Sequence, residues 1–297
     1  MVKIREVADN IYRFEKRLPI MGTVLAVYFI KEPKGALIDT GPTAFVPQIS
    51  EAMNQLGIKE LAFIMPTHIH VDHAGGIGKL AQLFPEAKVV IHPAGLKHVI
   101  DPSRLIESTK TVFGSDFESG FGPILPVPES QLKVPEDSEI IKVGGKELQI
   151  IYAPGHAPHH IVIFDRRLRG LFCGEALGLQ GEGNEHLAVP AVAPPSFDQE
   201  TYLQTMDKLR KLQPRILFFA HGGVSREPEK LISSVENNTR LLGDLILRAL
   251  KGGDSIAEIK HKVREAAKSS FGIELTKSDL DLTVGGYTVF YQRKGLV

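Results

Sequence analysis

The chain has 297 residues, and its 35 lysines and arginines balance 35 aspartates and glutamates to a formal net charge of zero at neutral pH. That balance removes the global electrostatic case for a nucleic-acid or anionic-membrane partner. A single cysteine, Cys173, excludes an intramolecular disulfide framework and any all-thiolate metal site, so metal ligands must come from histidines and carboxylates. The length is enough to bury a sizeable core, and no segment reaches about 18 consecutive apolar residues, so neither a membrane span nor a secretory leader is indicated and a cytoplasmic location is expected.

In chain order, NIYRF, TVLAVYFI and GALIDTG read as strands, rich in β-branched and aromatic residues and bounded by Pro and Gly. VPQISEAMNQLGI reads as a helix, with Ile49, Met53 and Leu56 at helical spacing and Gly57 as its stop. The apolar run ELAFIMPT is a buried strand whose end delivers His68 and His70. A helix is expected from Ala74 through AGGIGKLAQLFPEA, then a strand at KVVIHP, and that order makes an α/β unit. Residues 93–135 scatter Gly and Pro among Phe113, Phe117, Phe121, Ile124 and Leu125, and read as an irregular insertion that either covers a site or is a plain surface excursion.

Strands resume at SEIIKV, KELQIIYAPG, HIVIFD and RGLFCGEAL, joined by short turns as in an antiparallel sheet. DQETYLQTMDKLRKLQP is a helix with Leu203, Met206, Leu209 and Leu212 on one face, and RILFFAHGG is a last strand ending in His221. From Glu227 the chain reads as a long helix closed by Gly252 and Gly253, with two shorter helices after it.

The stretch THIHVDHAGG places His68, His70, Asp72 and His73 within six positions. His68 and His70, one residue apart at a strand end, point the same way and reach one cation; Asp72 and His73 follow where the chain turns into a helix. Four donors so close crowd a single tetrahedral ion, which suggests two metals and requires further ligands. His156 in APGHAPHH, Glu175 in FCGEAL and His221 in FFAHGG supply candidates, each at a strand end beside Gly or Pro, where a rigid sheet fixes the base of a loop.

In this order THIHVDHAGG, APGHAPHH, GE and AHGG, preceded by ALIDTG, resemble the metallo-β-lactamase-fold superfamily, especially its glyoxalase II-like and lactonase-like hydrolases, over roughly residues 7–223. Five of the eleven histidines fall on the family's positions. The resemblance implies an α/β (α+β) fold, a four-layer αββα sandwich over residues 1–225 with 93–135 as its insertion. Residues 226–297 would be a helical C-terminal extension, and the metals would lie at one edge of the two sheets.

The resemblance further implies that His68, His70 and His156 bind one divalent metal ion, that Asp72, His73 and His221 bind a second, and that Glu175 bridges them. Zinc is the first expectation, with iron or manganese as alternatives. The family usually has Asp after that Gly, and the longer arm of Glu175 bears on metal spacing and identity. His160 matches a position the family often fills with histidine and is expected to line the substrate pocket, so it is counted with Asp72 as catalytic; His159 replaces the usual glycine and is given no role. Asp39 is expected to orient the ligand loop by hydrogen bonds, and Cys173 to be a small buried thiol.

Two such cations would lower the pKa of water toward neutrality and so supply a hydroxide nucleophile, with Asp72 placed to orient it and take a proton. The expected function is therefore metal-dependent hydrolysis of a small-molecule carboxylic ester, lactone or thioester. A mononuclear-iron sulfur dioxygenase-like oxidoreductase and a phosphodiesterase are the alternatives carried beside it. The insertion and the C-terminal helices are expected to roof the metal edge, and those helices are also the expected contact of a homodimer.

Overall fold

The computed structural model describes residues 2–18, 20–181 and 184–297, with the side chains of 184–186 outside the description. The first sheet has seven strands in sequence order: β1 (Ile4–Ala8), β2 (Ile11–Arg17), β3 (Val24–Ile30), β4 (Gly35–Ile38), β5 (Leu61–Met65), β6 (Lys88–Val90) and β7 (Leu132–Lys133). Its first four strands pair antiparallel, and β4 through β7 run parallel. The second sheet takes β8 (Ile140–Val143), β9 (Lys146–Tyr152), β10 (Ile161–Asp165) and β11 (Gly170–Gly174) in antiparallel succession. The chain then leaves it for the hairpin β12 (Leu179–Gly181) and β13 (Asn184–Val189). It returns with β14 (Ile216–Phe219), parallel to β11, and β15 (Val224–Ser225), antiparallel to β14.

Strand residues alternate between two cores, which explains why these strands are apolar without interruption. On β3, Ala26, Tyr28 and Ile30 face the second sheet, while Leu25, Val27 and Phe29 face the helices. On β10, Ile161 and Ile163 face inward and Val162 and Phe164 outward; β14 repeats this with Ile216 and Phe218 against Leu217 and Phe219. The inner core therefore lies between the sheets. Helices α1 (Val46–Leu56), the short turn α2 (Val71–Ala74) and α3 (Ile77–Leu83) cover the first sheet, and α1 ends at Gly57, whose φ of 72° is left-handed.

The segment expected to be irregular is mostly helical. It forms α4 (Leu96–Ile100), α5 (Ser103–Phe113) and α6 (Glu118–Phe121), and its end contributes β7 to the first sheet. Helix α5 packs Leu105, Ile106 and Phe113 against the core at helical spacing, and Phe117 and Phe121 are fully buried anchors. Gly114, Pro102 and the polar outer face of α5 hid that period. Strands β1 and β15 and the β12–β13 hairpin were also not foreseen, and the helix expected from Ala74 divides into α2 and α3.

Helices α7 (Gln199–Arg210), α8 (Pro228–Lys251), α9 (Ile256–Ala266) and α10 (Lys277–Arg293) form the outer layer on the second sheet. Leu231, Val235, Leu242 and Ile246 of α8 and Val284, Tyr287 and Phe290 of α10 share one core with Met206 and Leu209 of α7 and the outer face of the sheet. The buried stripe of α7 is Tyr202, Thr205, Met206 and Leu209, with Leu203 and Leu212 only partly covered. No helix among the described residues is long and apolar enough to cross a membrane.

Candidate metal centre

Four strand ends meet at one edge of the sandwich. Thr67 to His70 follow the end of β5, His156 follows β9, Glu175 follows β11 and His221 follows β14. The N–H of Ile161, at the start of β10, donates to the carbonyl of Thr67 at 2.7 Å and ties the second sheet to the loop leaving the first. The single turn α2 then folds Asp72 and His73 back over the edge.

All seven residues expected as ligands converge there in two adjacent groups, His68, His70, His156 and Glu175 in one and Asp72, His73 and His221 in the other. In the second group Nε2 of His73, Nε2 of His221 and Oδ2 of Asp72 lie 3.3 Å from one another on all three sides. An equilateral triangle with an edge of roughly 3.3 Å is one face of a tetrahedron whose corners stand about 2.0–2.1 Å from its centre, the usual zinc–nitrogen and zinc–oxygen distance. The donor atoms therefore fit a cation.

The first group is drawn together more tightly. Nδ1 of His70 lies 2.9 Å from Nε2 of His68 and 3.1 Å from Nε2 of His156, and Oε2 of Glu175 lies 2.7 Å from Nε2 of His156 and 3.3 Å from that of His68. Glu175 also reaches the other group, with Oε2 at 3.7 Å from His73 and Oε1 at 3.9 Å from His221. Its longer arm places the carboxylate between the two clusters.

Outer hydrogen bonds fix which nitrogen faces inward. Nδ1 of His73 donates to Oδ2 of Asp39 at 3.1 Å, Nδ1 of His156 to the carbonyl of Ala191 at 3.0 Å, and Nδ1 of His221 to the carbonyl of Val24 at 3.1 Å. Nδ1 of His68 lies 3.1 Å from the hydroxyl of Thr67, which in turn donates to Asp39. Each ring then turns its Nε2 toward the centre, as metal-binding imidazoles do. Asp39 has the orienting place expected of it.

The charges are strongly coupled. Burial and the neighbouring rings hold the imidazole of His68 well below its ordinary range and that of His70 at about 4. Burial also works against protonated His73, but the Asp72 and Asp39 carboxylates overcome it and raise its pKa; the Glu175 carboxylate raises that of His156 in the same way. Burial pushes the Asp72 and Glu175 carboxyls up, yet His73 for the one and His156 for the other outweigh it and hold both carboxyls well below their usual values. Two ionised carboxylates thus call for positive charge, which protons on the rings or divalent cations supply.

The expectation for His160 needs correction. It is fully buried behind Glu175, not on a pocket wall, and its Nε2 accepts from the backbone N–H of Glu175 at 3.1 Å. Nothing but glycine fits at 174, where φ is +52° and a Cβ would stand 2.6 Å from both Nε2 of His160 and the hydroxyl of Thr67. The pocket histidine is its neighbour His159, whose ring lies parallel to that of His68 at 6.2 Å and edge-on to that of His70 at 5.5 Å. Cys173 is buried, as expected.

A pocket of about 430 Å³ opens over His70, Asp72, His156 and Glu175. Helix α5 lines it with Leu105, Thr109 and Phe113, and Leu282 of α10 is the lining residue from the C-terminal helices. Met21, His98, Arg104 and the loop around Pro194 were not foreseen as lining residues; no local motif marks them. Tyr202 is a further residue missed by sequence reasoning. Its hydroxyl donates to the Glu175 carbonyl at 2.8 Å and accepts from the N–H of Ala191 at 3.3 Å.

The family model of the metallo-β-lactamase superfamily matches residues 22–221. The metallo-β-lactamase fold-containing protein ST1585 of Sulfurisphaera tokodaii is 29% identical over 56% of this chain and 62% of its own length, and its crystal structure superposes with a TM-score of 0.63 over 79% of this chain and 86% of that one. A hydroxyacylglutathione hydrolase of Synechococcus is 26% identical over 58% of this chain and 57% of its own. In both relatives the sequence match spans less than two thirds of their length. The metallo-β-lactamase family protein TTHA1429 of Thermus thermophilus shares the fold at a TM-score of 0.74, with 18% identity, over 98% of this chain and 95% of that one, C-terminal helices included.

Proposed function

The chain belongs to the metallo-β-lactamase superfamily, and from that premise we propose that it is a dinuclear metal-dependent hydrolase of a carboxylic ester, lactone or thioester. The observation that carries this reading is the position of Glu175 between two donor clusters, with one carboxylate within 4 Å of rings from both.

His68, His70 and His156 would hold one divalent cation, Asp72, His73 and His221 the other, and Glu175 would be shared. Zinc suits these nitrogen and oxygen donors, as do iron and manganese. Such cations supply Lewis-acid polarisation of a carbonyl and bring the acidity of water toward neutral pH. Asp72, ionised and facing the pocket, is placed to accept, at the carboxylate oxygen not shared with His73 and His221, the proton released as water adds to the substrate. Apolar walls at Leu105, Phe113 and Val192 hold the substrate body and keep bulk water from the reacting carbonyl. The name of the Synechococcus relative, a hydrolase of a glutathione thioester, supports the thioester within this class.

The test is a screen of purified protein of known metal content against lactones, esters, thioesters and phosphodiesters, with and without chelator. Two equivalents of metal and chelator-sensitive cleavage of a carbonyl substrate are expected. Oxygen uptake on a persulfide by protein holding one iron would assign a sulfur dioxygenase-like activity instead, and cleavage confined to phosphodiesters would assign a phosphodiesterase.

A further inference from the structure

The pocket above the centre is apolar along most of helix α5, where Leu105, Val112 and Phe113 line it. One cation interrupts that wall. Arg104, in the first turn of α5, is the one lysine or arginine lining the pocket among the described residues, and none of them gives it a hydrogen bond or an ion pair. Its side chain is exposed, which leaves the guanidinium open to a ligand. The carboxylate whose field reaches Arg104 is Asp101, and its Oδ1 is already taken by the N–H and hydroxyl of Ser103.

The remaining polar groups on this side of the pocket are neutral donors. His98 lines the pocket in the same segment, and its pKa is lowered by partial burial first and by Lys97 and Arg104 next, so its ring is uncharged near neutral pH. His159 continues the polar strip toward His70. Along α5 the wall from Arg104 to Phe113 extends about 13 Å at 1.5 Å per residue, room for an acyl chain of several carbons. A guanidinium fork on such a wall matches the two oxygens of a carboxylate or phosphate.

We propose that Arg104 binds a terminal oxyanion on an otherwise apolar ester or thioester, so that the substrate class of this site is an acyl compound with a free carboxylate or phosphate at the end remote from the scissile bond. This rests on the hydrolase reading above for the reaction, and on the pocket alone for the anion.

The experiment compares three 4-nitrophenyl esters of equal acyl length: one ending in a free carboxylate, as in the glutarate half-ester, one ending in its methyl ester, and one ending in a phosphonate. Wild-type protein loaded with metal is set beside R104Q, R104K and R104E, each first checked for wild-type metal content and melting temperature. The wild type should prefer an anionic ester over the neutral one in kcat/KM by about tenfold or more, equal to about 1.4 kcal/mol, with the difference in KM. R104Q should bring that ratio close to one, R104K should restore part of it, and R104E should invert it. Whichever anion gains more identifies the group that is read.

Calorimetry with the corresponding anilides, which are not cleaved, measures the same preference as binding. Equal wild-type handling of charged and neutral compounds, or a preference that R104Q retains, overturns the inference even if the esters are hydrolysed. Arg104-dependent binding of the anionic anilide without hydrolysis of any ester keeps the inference and overturns the hydrolase reading.

Discussion

Oδ2 of Asp39 accepts from Nδ1 of His73 at 3.1 Å, while Oδ1 of the same carboxylate accepts from the backbone N–H of Thr67 at 2.7 Å and from its hydroxyl at 2.9 Å. That hydroxyl stands beside Nδ1 of His68. One buried carboxylate therefore orients a ring in each donor cluster. Asp39 occupies this place with a φ of 54°, a left-handed conformation that Asp tolerates better than most residues and that aims its side chain under the ligand loop.

The first prediction concerns D39N. An amide offers one acceptor and two donors, so whichever way it turns, either the His73 N–H or a Thr67 donor meets another donor. Metal affinity should fall on the order of 10- to 100-fold at the cluster whose ring loses its anchor. Titration of metal-stripped protein against a competing chelator measures this, and wild-type affinity in D39N would remove Asp39 from the centre.

The second prediction separates charge from length at Glu175. Its backbone is pinned on both sides, with the N–H held by His160, and the carbonyl by the hydroxyl of Tyr202 and the N–H of Gly178 at 3.1 Å. The chain is therefore not free to advance and compensate for a shorter arm. E175D retracts the carboxylate by about 1.3 Å, large beside the roughly 0.2 Å tolerance of a metal–oxygen bond, and should reduce metal stoichiometry about as much as E175Q, which keeps the length and loses the charge. Full occupancy of two sites in E175D would show that the arm length does not set the bridge.

The residues of the two donor clusters were legible in the sequence because their spacing is local. His68 to His73 span a strand end and one helical turn, and the glycine- or proline-flanked ends of β9, β11 and β14 announce themselves within a few residues. The pocket was not legible, because its walls come from segments joined only by the fold. His159 and His160 show the limit most sharply. The two close a tight turn, with the N–H of His160 donating to the carbonyl of Ala157 at 3.3 Å, so which histidine faces the pocket depends on how that turn is set. Gly155 sets it, at a φ of +129° with the backbone of Tyr202 so close that a Cβ would stand 2.4 Å away. Nothing within the motif reveals the helix that carries Tyr202. Helix α5 was hidden for another reason, since its short apolar stripe lies between a proline and a glycine that read as loop punctuation.

The third prediction tests the buried tyrosine. Tyr202 has no exposed surface, and its hydroxyl serves the Glu175 carbonyl and the Ala191 N–H, whose own carbonyl accepts from His156. Y202F keeps the ring and its packing against Phe197, but removes the acceptor of the Ala191 N–H and the donor to Glu175. Destabilisation of about 1–3 kcal/mol is expected, a fall in melting temperature on the order of 2–8 °C for a chain of this size. Metal-dependent stabilisation should shrink as well, because His156 and Glu175 both lose part of their support. Identical melting curves for Y202F and wild type, each recorded with and without metal, would contradict this.

The last prediction sets the two adjacent histidines against each other. H160A removes the acceptor for the Glu175 N–H and leaves a void at a fully buried position, so it should cost about 3 kcal/mol or more of stability and weaken metal binding through displacement of Glu175. H159A removes a ring that lines the pocket and touches His68 and His70 only through its face and edge. Its long contact from the N–H of Ile69 to Nδ1, at 3.5 Å, is weak support for the fold. H159A should keep wild-type metal content, lie within about 1 kcal/mol of wild-type stability, and show its effect in KM for whichever carbonyl substrate the screen identifies. Metal analysis, thermal melting and steady-state kinetics on the pair decide the matter. Metal loss in H159A as severe as in H160A would make His159 a support of the centre, and an H160A protein with full metal and a wild-type melting temperature would return His160 to the role its sequence position suggests.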